Sequence, residues 1–506
     1  MSEQWPGGLI TKTPVTPSGP FEVSTASGVW TLEEAYQWKG DGLWPTAGNT
    51  LAYYTSYGIL SGQGWYGKAV SVDSSSNIYV SGWLSGTGST YTDDDIVWTA
   101  KYPSDGSAPT WQRSAQNTSL NHAEVKAGSV IDSTGDIIVS CSGYDASDDF
   151  SIILKWDTDG VFQWGRNFGD STGRHADSSG IGIDSNDNIY LWTNSTTTGY
   201  AAIVKWNSAG AIQFQKSATT AGSSVGNVLT SADGDLTVDS SDYIIPAGKT
   251  EAASGSGLQV GSIARISAAG VVDWSREISH YTRGANAVVT DSSDNIYVGV
   301  SAVNSTVLPY ICKFNSSGTR QWARKIAGSA ATGHVWSQSI VKRIAVDSSD
   351  NVYMIAGTDL NRSGATPAGP NNECIAIFKY SSAGVLQWAR YVQGNLYSMG
   401  SDSRITIDGS DIIIVSRVSL GIDGDNGNTS MFILKIPTDG SKTGDYTNPT
   451  YTGFTLTYGI LLNSESEDTT SSVQTGDYTL ATTTITEAAT GMTSATGTLI
   501  SDNDPL

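Results

Sequence analysis

Internal repetition is the feature that most constrains what this chain can fold into. Residues 343–390 read RIAVDSSDNVYMIAG, a mixed loop, then CIAIFKYSSAGVLQWAR, and variants of this unit return along most of the sequence. Such a period marks one supersecondary unit stacked on its neighbours. Residues 343–346 alternate into a turn cluster at 347–351, and 352–355 alternate out again, which predicts a hairpin. A third strand at 375–379, a turn at 381–384 and a fourth strand at 385–390 complete the unit. A four-stranded antiparallel meander of this length is one propeller blade.

The hairpin aspartate counts the blades: Asp73, Asp132, Asp184, Asp239, Asp291, Asp347 and Asp408. Five residues after each stands Ile78, Ile137, Ile189, Ile244, Ile296, Val352 or Ile413, expected to face the next blade. A basic residue followed five positions later by glycine also recurs seven times, from Lys101/Gly106 to Lys435/Gly440. A glycine at fixed offset implies a backbone position with positive φ. Nine residues past the basic residue come Trp164, Phe214, Trp274, Trp322 and Trp388, with Trp111 one residue later in its unit, all expected between blades. Most hairpin turns carry Ser76, Asp187, Asp294 or Asp350 rather than glycine, a change expected to cost little because Asp tolerates the left-handed conformation.

Closure of the ring is legible too. Trp388 lies twenty residues before Asp408, and twenty before Asp73 is Tyr53, so 51–54 aligns with 386–389 and should be the outer strand of the seventh blade. Pro246 falls where a second strand should pair on both sides, which predicts a bulge.

The expected fold class is therefore all-β: a seven-bladed propeller over 49–445, a small N-terminal anchoring module at 1–48 and a β-rich tail at 446–506. Only 15% of residues are charged and 56 are glycine, which suits turn-rich β structure. A net charge of −21 repels nucleic-acid backbones. Cys141, Cys312 and Cys374 fall in or beside strands and read as buried thiols. The first residues have neither a basic region nor an apolar run, and no stretch approaches membrane-spanning length, so folding in a cytoplasm without membrane insertion is expected.

The N-terminal module combines Pro6, Pro14, Pro17 and Pro20 with a capping box at 31–34 that predicts a short helix ending near Gly40. Trp5, Trp30, Trp38 and Trp44 are too many for so short a segment to bury alone, so they are expected to pack on the propeller or, as the preferred reading, on another protein. The tail alternates Thr and Ser with apolar residues and reads as exposed strands that need a neighbour, either the propeller's side or another chain.

The run STASGVWTLEEAY at 24–36, followed by GLWP at 42–45, resembles an N-terminal motif of structural proteins of tailed bacteriophages. The blades resemble the bacterial propeller repeat with its VDssgNvYvaG core. The blade resemblance speaks to fold, and the N-terminal one implies a virion protein; it is expected on the tail, joined to other virion proteins through 1–48 and a homo-oligomer in the particle.

Loop lengths point to the working face. The hairpin turn and the glycine turn are nearly constant, whereas Asp-to-basic spacing runs from 21 residues (Asp184 to Lys205) to 32 (Asp347 to Lys379). Variable loops on a rigid ring are where binding evolves. Tyr91, Tyr144, Tyr281, Trp336 and Tyr397 fall on that face and are candidates to stack on host-surface sugars or anchor a protein. His122, His175, His280 and His334 sit in interblade loops at unrelated offsets, and the 423–428 loop lacks the downstream Glu of a calcium site, so no metal and no cofactor are expected. The basic-x4-Gly-x3-Trp fragment resembles the docking motif of quinone-dependent dehydrogenase propellers, but those are usually eight-bladed and exported. Acidic loop clusters such as 93–95 and 148–149 leave glycan cleavage as the enzymatic alternative. A non-enzymatic binding protein is expected, with an architectural role next.

Overall fold

The computed structural model describes residues 3–5, 8–10 and 53–57, the blade strands with their tight turns between 65 and 447, and six short strands between 455 and 496. Seven sheets, each a four-stranded meander, form the ring of an all-β seven-bladed propeller. Blade 7 takes its fourth strand from the other end of the chain: Tyr53–Tyr57 pairs with Ser430–Pro437, placing Tyr53 opposite Lys435 as Trp388 stands opposite Lys379. The expected closure is thus present in the expected register. Residues 3–10 hold a small separate hairpin, and the predicted helix at 31–40 lies outside the described residues.

Two repeated contacts join the blades. In five blades the tryptophan of the fourth strand lies under the glycine turn of the next blade, and in four of these an indole N–H donates to that turn, as from Trp111 to Thr158 O (2.9 Å) and from Trp388 to Thr438 O (3.2 Å). Two residues on, a cation reaches the glycine carbonyl itself: Arg113 to Gly160, Arg166 to Gly210, Lys216 to Gly270, Arg276 to Gly318, Arg324 to Gly384 and Arg390 to Gly440, all at 2.6–2.8 Å. These glycines are doubly constrained. Gly384 has φ of 77°, and a Cβ there would stand 2.7 Å from the Trp322 ring.

The second contact is at the hairpin turns. Ser133, Ser185, Ser240 and Ser292 each donate both N–H and Oγ–H to the carboxylate of Asp187, Asp242, Asp294 or Asp350 in the following blade. These aspartates do adopt positive φ, but their side chains are structural, which corrects the view of them as mere substitutes for glycine.

Three further expectations need correction. The β-branched residue five after the hairpin aspartate faces the preceding blade: Ile137 packs with Tyr79, Val97 and Trp111, and Val352 with Tyr297 and Ile311. Strand alternation sends the next residue, such as Tyr353, forward instead. In blade 7 the turn is one residue shorter, because Asp408 pairs directly with Asp411. There Ile412 faces back and Ile413 forward, and Asp411 rather than Asp408 meets Lys435, at 3.2 Å. At Pro246 there is no bulge. Ile244 pairs with Ile266 and Ala247 with Ile263, so the register runs on unchanged, because proline removes a donor without inserting a residue.

The tail lies along the ring. Tyr446 and Tyr458, both buried against blades 6 and 7, anchor its start. Thr455–Ile460 pairs with the fourth strand of blade 6, and Ser464–Asp468, Ser472–Thr475, Tyr478–Thr482, Thr486–Ala489 and Thr493–Thr496 pair with blades 5, 4, 3, 2 and 1 in turn. Twist of about 20–25° per strand, summed over a blade, turns the outermost strand toward the circumference. Connections as short as 476–477 can then carry the tail from one blade to the next.

Two outcomes follow from these contacts. Gly384→Ala should lower stability by more than Gly409→Ala in a denaturant titration. Both impose a left-handed alanine, costing about 1–2 kcal/mol, but only Gly384 meets an indole, whereas no atom lies within 4 Å of a Cβ at Gly409. Acid should also destabilise the blades. Burial alone would raise the hairpin carboxyls of Asp184, Asp291 and Asp347, but donors led by Asn188, Asn295 and Asn351 outweigh it and hold them below the ordinary value. Their contribution is therefore complete above about pH 4 and lost as pH falls through the folded values. The thermal midpoint should drop on acidification below pH 4, and less steeply in Asp184→Asn.

Candidate functional site

The innermost strands of the ring line the central channel, and five of them are interrupted at one level. Bulges fall between Gly67 and Ala69, Val125 and Gly128, Ser178 and Gly180, Ala285 and Ala287, and Val341 and Arg343. Each includes the residue five before its hairpin aspartate: Lys68, Ala127, Ser179, Asn286 and Lys342. A bulge takes a residue out of the ladder and leaves its backbone groups without a cross-strand partner.

Arginines from blades 6 and 7 use those groups. Arg343 donates to Asn286 O (3.2 Å) on the adjoining blade and to Ala127 O (3.4 Å) on blade 2, while Arg404 donates to Lys126 O (3.2 Å), also on blade 2. Blades 6 and 7 are not neighbours of blade 2, so both side chains reach across the axis. The channel is crossed at this tier. Arg343 also approaches Asp235 of blade 4, with Nε 3.8 Å from a carboxylate oxygen that accepts from Val288 N. Burial raises the Asp235 pKa above the ordinary value even though Arg343 opposes the shift.

Where blade 7 meets blade 1, Asp402 accepts from Lys68 at 2.6 Å and from Arg417 at 2.8 Å. Burial would raise its pKa, but the two cations hold it far below the carboxylate range. Lys68 is shifted down, chiefly by burial and against the pull of Asp402. Above this triad the Tyr66 and Trp83 rings stack at 4.1 Å with 5° between planes, and the Arg417 guanidinium lies 5.3 Å over Tyr66. Trp83 and Arg417 stand near the far ends of strands that begin at the constant turns, so this cluster looks toward the variable face.

The carbonyls that Arg343 and Arg404 bond across the axis are neutral and do not cancel their charge. Among the described side chains here, Lys68, Lys126, Arg343, Arg404 and Arg417 outnumber Glu124, Asp235 and Asp402, an excess of positive charge inside a chain of net charge −21. Such a lining suits a carboxylate or sulfate better than a cation.

Tyr91, Tyr281, Trp336 and Tyr397 lie outside the described residues, as do Trp30, Trp38 and Trp44. Tyr144 ends a second strand and Trp5 lies in the N-terminal hairpin, with neither side chain described. His122 opens the innermost strand of blade 2, and the other three histidines lie outside. Attention to loops missed the channel. The signal available was charge at the fourth to sixth positions before the hairpin aspartate, where the innermost strands are otherwise small or apolar.

No known family and no curated protein matches the sequence. Among solved structures, the chain is similar to a polysaccharide lyase at 9% identity and a TM-score of 0.45, covering 77% of this chain and 100% of that one. It is similar to a protein of unknown function from Dyadobacter fermentans at 9% identity and a TM-score of 0.42, over 76% and 98% of the two chains. An exo-β-1,3-galactanase from Clostridium thermocellum matches at 10% identity and a TM-score of 0.31, over 82% and 95%.

Proposed function

We propose that this chain is a tail-associated structural protein of a virion whose propeller presents its variable-loop face to a host-surface glycan or a virion partner. The observation that carries the reading is the asymmetry of the two faces. At the constant face the turns are consumed by interblade bonds from serine, tryptophan and arginine, so sequence change there costs stability. The connections at the opposite end of the strands vary in length along the sequence, and the Tyr66, Trp83 and Arg417 cluster stands near the strand ends that lead into them. A ligand bearing carboxylate groups, such as an acidic surface polysaccharide, fits that charge. The N-terminal resemblance to phage structural proteins supplies the virion context, with 1–48 as the docking segment.

Binding of purified protein to host cells and to arrayed glycans tests the recognition role. Trp336→Ala with Tyr144→Ala should weaken binding at least tenfold, since a buried aromatic anchor commonly contributes about 2 kcal/mol or more. Val271→Ser, at an exposed position on the constant face, should bind normally. Full binding by the double variant would favour the architectural role, and release of reducing sugar a glycan hydrolase.

The docking role of the N-terminus has its own test. Protein lacking 1–48 keeps Tyr53–Tyr57 and should retain its thermal midpoint within a few degrees, yet fail to enter particles. Normal incorporation would remove docking from that segment.

A further inference from the structure

The tail follows a rule that extends past the last described strand. On each fourth strand, the residue two after the interblade aromatic pairs with the last residue of a tail strand: Arg390 with Ile460, Arg324 with Asp468, Arg276 with Thr475, Lys216 with Thr482, Arg166 with Ala489 and Arg113 with Thr496. From Asp468 onward these end residues fall seven apart, one heptad per blade. The last three of these heptads carry a large apolar residue at the same place, Tyr478, Ile485 and Met492, and seven further on stands Leu499.

Blade 7 follows blade 1 in the direction the tail travels. Among the described residues its sheet has four strands, and Tyr53–Tyr57 is paired on one side only. An outer strand with a free row of N–H and C=O groups is a template for another strand. On the other six blades the tail covers that edge.

We propose that residues 497–503 supply the seventh tail strand, laid antiparallel on Tyr53–Tyr57, so that the two ends of the chain meet on one blade. The register is set by the rule. Tyr53 holds the place of the aromatic, so Thr55 lies opposite Asn503, Ser56 opposite Asp502 and Tyr57 opposite Ser501. The strand that closes the ring is thereby held between Ser430–Pro437 and the tail, and every blade carries a tail strand on its outer edge. The inference stands apart from the functional reading, since it uses backbone pairing and spacing alone.

Cysteine pairs in the full-length protein test it. Thr55→Cys with Asn503→Cys, and Tyr57→Cys with Ser501→Cys, should each form a disulfide within one molecule under mild oxidation, seen as a monomer on a non-reducing gel and as a linked peptide by mass spectrometry. Thr55→Cys with Leu499→Cys should stay reduced, because four residues along a strand span about 13 Å, beyond the roughly 7 Å reach of a disulfide. The native cysteines are buried and will not compete. Disulfides formed only between molecules would overturn the proposal and give the edge to a second copy. Reduced thiols in both matched pairs would overturn it as well. Amide exchange at 53–57 offers an independent measure: it should quicken at least tenfold when the chain ends after Thr496, and an unchanged rate counts against the proposal.

Discussion

The structure depends on one contact made between successive blades: an indole beneath a left-handed glycine turn, with a cation two residues later bonded to the glycine carbonyl. Each part requires the others. The turn needs φ near 75°, the indole leaves no room for a Cβ, and the arginine stacks on the same indole at 5.0–5.7 Å while reaching the turn. Blade 3 shows how far the arrangement bends. Phe214 replaces the tryptophan and Lys216 the arginine, and the amino group still meets Gly270 O at 2.7 Å. Because the contact runs from one blade to the next, stability accumulates along the ring, and the ring must be closed for the first and last blades to share in it.

Closure is made by chain segments distant in sequence. The N-terminal strand fills the fourth place of blade 7, and Lys435 of that blade donates to Ser104 O of blade 1, the same reach that Lys379 makes to Thr438 O. The tail runs the other way round, placing a fifth strand on six blades. Its Thr- and Ser-rich composition suits a strand whose main contribution is backbone pairing along exposed edges. Tyr446 and Tyr458 at its start are buried.

The channel shows how a regular scaffold acquires a particular interior. Bulges at one tier of the innermost strands free carbonyls that two arginines then bridge, so the cationic character of the axis depends on backbone irregularity as much as on side chains. Asp235 and Asp402 face this lining in opposite states, one raised by burial and the other lowered by Lys68 and Arg417. Positive charge at the centre of an acidic molecule would draw an anionic group toward the axis against the field of the surface.

The sequence by itself determined the blade count, the hairpin and glycine turns, the interblade place of the tryptophans and the closing strand at Tyr53, because each follows from local geometry repeated at fixed spacing. Only the tertiary structure decided which way Ile137 and Val352 face, since a period of two separates the faces of a strand without naming the neighbour on either side. The structural use of Asp187, Asp242, Asp294 and Asp350 was hidden for a related reason: their partners are serines 54 to 58 residues away. The channel arginines and the course of the tail were equally beyond a linear reading. Arg343 finds Ala127 across 216 residues, and the tail finds its edges only once the ring exists to present them.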